Sequence, residues 1–165
     1  MKLKKISWLP VIIMMGIIFT FSSKPAVNSR ESSMTIANSI LNIYENFTDT
    51  RFQGTQRTDK LGIIDHIIRK GAHFTEYAIL AGTIFLHFSL RNRNGIKLIL
   101  LSVALTAMYA ATDEFHQLFV PGRSGEIKDV LIDTAGALTG VIILNLIINL
   151  FARKNRHIES VTLLK

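Results

Sequence analysis

The strongest constraint on the fold is that the apolar residues are gathered into long runs rather than spread over amphipathic elements. DVLIDTAGALTGVIILNLIINLF at 129–151 and GIKLILLSVALTAMYAAT at 95–112 approach or reach the length of about 20 predominantly apolar residues that a helix needs to cross the hydrocarbon core. ISWLPVIIMMGIIFTF at 6–21 is a slightly short run behind KLKK. AHFTEYAILAGTIFLHFSL at 72–90 is polar at its start and apolar from Ala78. Backbone groups inside a bilayer must be satisfied internally, which runs of this length achieve as helices. The expected fold is all-α integral membrane. It is a four-helix transmembrane bundle with spans at about 6–21, 72–90, 95–112 and 129–151, residues 1–165 forming one domain. The first run also fits a secretory signal, with small residues placed for cleavage after Ser22; the count would then be three spans.

The net charge of +7 could point to nucleic acid, but Lys and Arg cluster beside the apolar runs, which suits membrane flanks better. The expected partner is therefore the lipid bilayer, not nucleic acid. With no cysteine in the chain, disulfides, a thiol nucleophile and a thiolate metal site are excluded. Lys2, Lys4 and Lys5, then Arg91, Arg93 and Lys97, then Arg153, Lys154 and Arg156 mark three densely basic flanks. The positive-inside rule puts both termini and the 91–95 turn in the cytoplasm of a multi-pass cell-membrane protein. Segments 23–71 and 113–128 then lie outside.

The 23–71 segment reads as an extracytoplasmic helical insertion between spans one and two. Ile36, Ile40, Ile43, Tyr44 and Phe47 form a helical stripe, with Ser32 or Ser33 as N-cap. Such a helix lies on the outer leaflet or packs over the bundle. The polar TDTRFQGTQRTD at 48–59 reads as a loop, and KLGIIDHIIRKGAHF as a helix running into span two.

Three polar clusters share the outer level. His66, Lys70, His73 and Tyr77 are spaced four, three and four apart on one face, with Glu76 beside them. Asp113, Glu114, Gln117 and Arg123 follow span three, and Asp129 and Asp133 open span four, in stripe with Gly136 and Gly140. Structural readings compete: a solvated face for His66 and Lys70, an aromatic-belt Tyr77, a close helix contact for the glycines, an ion-pair network for the acids. Asp133 resists dismissal, because a carboxylate in a span costs up to roughly 2.5–3.5 kcal/mol at the helix centre. His116 falls on another face from Asp113 and Gln117, and His87 reads as interfacial. The expectation is that Lys70, His73, Tyr77, Asp113, Glu114, Gln117, Arg123 and Asp129, with Asp133, form one ligand-binding concavity open to the outside. In it Arg123 is a bidentate anion clamp oriented by Asp129. Anionic lipid headgroups and lipid-linked cell-wall precursors are the candidate ligands. An enzymatic alternative gives His73 an acid/base role with Asp113 or Glu114. No compact metal motif and no cofactor motif is present.

RKGAHFTEYAIL followed by DEFHQLFVPGRSGEIKDVLIDTAGALTG resembles the VanZ-like family of bacterial membrane proteins, named for a teicoplanin-resistance protein. The family pattern is Lys-x-x-His-x-x-x-Tyr, then Asp-Glu-x-x-Gln, then Pro-Gly-Arg and a later Asp, Asn or Asp, and Gly. It falls here on Lys70, His73 and Tyr77; on Asp113, Glu114 and Gln117; on Pro121, Gly122 and Arg123; and on Asp129, Asp133 and Gly136. FSSKP at 21–25 is similar to the end of the family's first span, and Asp133 stands where members often have Asn. The resemblance implies four spans, a retained first span and a link to glycopeptide susceptibility. It brings no settled mechanism.

Overall fold

The computed structural model describes residues 6–91 and 95–162, without the side chains of residues 153 and 155–162. Lys2, Lys4, Lys5 and Arg93, on which the orientation partly rests, lie outside the described residues, as do the side chains of Arg153 and Arg156. The described chain is all-helical: α1 (Leu9–Ser22), α2 (Ala26–Thr48), α3 (Gly54–Ser89), α4 (Ile96–Gln117) and α5 (Ile127–Thr162). α4 and the Ile127–Ala152 part of α5 are each long and apolar enough to cross a membrane. α1 adds a third such element only when joined to α2, from which it is bent by 98°. α3 does not qualify by length and composition, because charged residues continue down it as far as Glu76.

The helices pack in an order set by small residues. α5 lies against α3 and α4, and α1 against the α3–α4 side. A Cβ at Gly136 or Gly140 would run into the backbone carbonyls of Phe74 and Ala78, so α5 meets α3 backbone to backbone, as small-residue stripes allow in membranes. Tyr77, Leu80, Ile84 and Ala110 join Val11 and Ile18 of α1 in one apolar cluster, and Ala81, Phe85, Leu98, Ala137 and Val141 form the next. Outward faces stay apolar: Ile12, Ile13, Leu100, Met108, Ile143, Leu146 and Leu150 are all exposed, the pattern of helices solvated by lipid.

Four sequence expectations need correction. The insertion helix starts at Ala26, with Pro25 rather than a serine in the cap position; Ser33 instead donates to Asp65 of α3. Pro25 has its φ fixed by the ring and is placed to begin a helix after a corner. Residues 54–59 are helical, not loop, because their polar side chains serve a neighbouring helix. Arg57 grips Glu45 of α2 at 2.8 Å and Asn42 at 2.8 Å. Residues 113–117 are the last turns of α4, so the loop between α4 and α5 shrinks to 118–126. His87 is buried rather than interfacial, 1% exposed. Arg91 donates to its Nε2, so the Nδ1–H donates to Ser7 Oγ at 2.9 Å, and the ring lies 3.9 Å from that of Trp8.

Glu45 also accepts from the Phe52 amide at 2.9 Å. That bond, then Arg57, holds its carboxyl below the ordinary value of 4.5. A depressed carboxyl contributes stability above its unfolded value and loses it as pH falls through the folded one. The Phe52 amide should therefore be protected from hydrogen exchange at pH 6 and lose that protection well below pH 4.5. Glu45→Gln should lose it at both; equal protection in the variant would show that the carboxylate is not the lock.

Candidate functional site

The C-terminal ends of α1 and α4, the middle of α3, the start of α5 and the 118–126 loop enclose a cavity of about 530 Å³. α2 forms its side wall through Ala26, Ser29, Ser32, Ser33 and Ile36. Of the residues expected from sequence, Lys70, His73, Gln117, Arg123 and Asp129 line it. Tyr77, Asp113, Glu114 and Asp133 do not; they are buried inside the bundle. The pattern read as one site is thus two layers.

The buried layer is a hydrogen-bond network that ties three helix ends together. Ser22 Oγ, at the end of α1, donates to Asp113 Oδ2 of α4 at 2.7 Å. Gln117 Nε2 donates to the same oxygen at 3.2 Å and to Glu114 Oε1 at 3.1 Å. Glu114 Oε2 accepts the Glu126 amide at 2.9 Å, so this carboxylate meets a donor at the start of α5, where the helix dipole favours it. Asp133, one turn above Gly136 on the α3-facing stripe, is 0% exposed, and neither oxygen has a hydrogen-bond partner. The Tyr77 hydroxyl and Asp113 Oδ1 are likewise buried without a bond of normal geometry.

The lining layer places Arg123 differently from expectation. The chain turns at Pro121-Gly122, with Gly122 at φ +74° and the Ala26 amide bonded to the Pro121 carbonyl at 3.1 Å. A β-carbon on Gly122 would lie 3.2 Å from that of Ala26, so glycine serves both the left-handed φ and the close approach. Arg123 is thereby carried to the corner between α1 and α2. Its Nε donates to the Lys24 carbonyl at 2.9 Å, Nη2 to Phe21 O at 3.1 Å and Nη1 to Gln117 Oε1 at 3.3 Å. Asp129 is not its partner: Lys70 takes that carboxylate. The two cations compete for one acid, and the direct span from α3 to the start of α5 favours Lys70. Arg123 therefore keeps a full charge held by neutral acceptors, with burial pulling its pKa down and the Asp113 charge opposing that pull.

Other cations face the same cavity. Arg69 reaches Asp65 at 3.5 Å, and Lys24 lies over the Phe21 ring. The imidazoles of His66 and His73 stand on the α3 wall. His116 sits just outside, 3.2 Å from Ser23 Oγ and stacked on Phe19. Among the described residues, no three His, Asp or Glu side chains are grouped to hold a metal ion. Ser22 is the network residue that sequence reasoning passed over, since FSSKP was read only as similar to the end of the family's first span.

Residues 7–149 match the VanZ/LLP1 family. The chain belongs to that family. The match spans both layers, from FSSKP through the glycines of α5, so the resemblance carried by the motifs holds over most of the chain. No curated protein and no solved structure matches it. In this VanZ/LLP1 protein the Asp-Glu-x-x-Gln and Pro-Gly-Arg stretches first fasten the helix ends, and Gln117, Gly122 and Arg123 of them reach the cavity.

Proposed function

We propose that the chain is a multi-pass envelope protein that binds an anionic lipid headgroup, or a lipid-linked cell-wall precursor, in this cavity at the outer face. On this reading α1, residues 72–90 of α3, α4 and α5 to about residue 151 are spans, both termini are cytoplasmic, and α2 lies on the outer leaflet. The 98° bend from α1 and the exposed Ile40, Ile43, Tyr44 and Phe47 support that placement of α2. A protein that holds such a lipid changes what a glycopeptide meets at the membrane, which is how a link to teicoplanin-type susceptibility would arise. Cysteine introduced at Ser124 should react with an impermeant thiol reagent in intact cells, and cysteine at Lys97 should not; the reverse pattern would invert the topology.

The observation that carries the proposal is Arg123. Three of the five N–H donors of a guanidinium go to neutral oxygens, and the rest are free for an anion in a cavity whose size suits a headgroup. The enzymatic alternative gains nothing from the geometry: His73 reaches the cavity, while Asp113 and Glu114 are turned to Ser22, Gln117 and the Glu126 amide.

Arg123→Lys keeps the charge and loses the fork. Losing one charged hydrogen bond, about 1.5–3 kcal/mol, should lower retention of co-purifying anionic lipid, counted by mass spectrometry, roughly ten- to a hundred-fold. A lower Tm with lipid retention unchanged would leave Arg123 as a corner staple and remove it from the site.

A further inference from the structure

Glu76 is the cavity-lining carboxylate with neither a hydrogen bond nor an ion pair among the described residues. Asp129 has Lys70, and Glu126 has Ser124 Oγ at 3.3 Å. Glu76 stands one helical turn below His73 on the α3 wall, inside the same cavity as Arg123, whose charge it feels without bonding it. The neighbouring cations are otherwise engaged: Lys70 with Asp129, Arg69 with Asp65 and Lys24 with the Phe21 ring. A purely anionic headgroup seated on Arg123 would bring its charge close to this lone carboxylate. An ammonium on the same headgroup would turn that repulsion into a charge-assisted hydrogen bond, the stronger kind in a low-dielectric setting.

We propose that the cavity takes a zwitterionic headgroup, its phosphate or carboxylate on Arg123 and its primary ammonium on Glu76. This rests on the headgroup-binding reading above: it keeps the anionic group on Arg123 and replaces a net-anionic headgroup by a zwitterionic one. An ammonium offers three donors on a compact centre. Ser29 and Ser32, on the facing wall of α2, have hydroxyl lone pairs that can accept those Glu76 does not. A quaternary amine has no N–H to give and fits the pair less well.

The test uses the full-length protein in nanodiscs of equimolar phosphatidylethanolamine and phosphatidylglycerol, with retained lipids counted by native mass spectrometry after mild detergent release. The wild type should retain phosphatidylethanolamine preferentially. Glu76→Gln should cut its retention about ten-fold while phosphatidylglycerol holds or rises, and Glu76→Asp should keep the preference. Melting curves of both variants guard against loss of fold, and Glu76→Asp alone can decide the matter if Glu76→Gln does not fold. An unchanged lipid ratio in Glu76→Gln, no preference in Glu76→Asp, or a wild-type preference for phosphatidylglycerol overturns the proposal. If both lipids are held equally and both are lost in Arg123→Lys, headgroup binding stands and the zwitterion fails. If the wild type retains neither, both readings fall.

Discussion

Valine at both Gly136 and Gly140 should abolish accumulation of the folded protein. An added Cβ at either position meets backbone of α3, at Phe74 and Ala78, and backbone cannot swing aside as a side chain does. The helices must part, and Ala81 and Phe85 on α3 lose their packing against the α5 face of Ala137 and Val141. Overpacking of this kind costs about 1–3 kcal/mol per site, against a total that is commonly only about 5–15 kcal/mol. Two sites in one interface spend much of that margin. Gly62→Ala is the contrast, because nothing lies within 4 Å of its added carbon and a helical glycine gives up about 1 kcal/mol relative to alanine. Size-exclusion profiles and melting curves in detergent separate the cases. A monodisperse double-valine protein with a near-native Tm would show that α3 and α5 are not in backbone contact.

Asp133→Asn should raise stability, an unusual outcome for replacing an acid on a motif. Neither oxygen of this fully enclosed side chain has a partner, and a buried group without one costs about 1–3 kcal/mol. Asparagine has the same shape, carries no charge and adds two donors. The nearby acceptors without partners, Asp113 Oδ1 and the Tyr77 hydroxyl, give those donors somewhere to go. A gain of about 1–3 kcal/mol at the Tm should appear with lipid retention unchanged, since Asp133 does not line the cavity. A fall in Tm would mean that the carboxylate is matched by a charge in the folded protein.

What could be read from sequence follows from how local each signal is. α4 and the membrane-length part of α5 were legible because hydropathy is summed over contiguous residues. The shared face of Lys70, His73 and Tyr77 was legible because helical periodicity fixes it without knowledge of any other element. Helix ends were not. Arg57 looks like a loop residue until Glu45, 12 positions earlier, is seen to need it. The partner of Asp129 was also hidden: Lys70 and Arg123 were both plausible cations, and the choice depends on where the 118–126 turn lands. Ser22 was hidden for the opposite reason, being a small polar residue at the edge of an apolar run. Nothing local distinguishes such a hydroxyl from filler; only the arrival of Asp113, 91 positions later, gives it a role.

The 36 unbroken residues of α3 carry a consequence for the bilayer itself. At 1.5 Å per residue the helix is about 54 Å long, well beyond a hydrocarbon core of about 30 Å. On the topology proposed above, the part of α3 before residue 72 stands clear of that core as a mast, with His66 and Lys70 fixed at set heights along it. Because the mast does not bend, those heights are measured from wherever the apolar half settles. A thicker bilayer, or one that tilts α3 less, changes the level of the cavity floor relative to the phosphate plane by ångströms, at a cost of fractions of a kcal/mol per ångström. If the cavity takes a lipid headgroup as proposed, membrane thickness sets how far that lipid must rise to dock, and a change in acyl-chain length becomes a way to tune the protein without touching its sequence.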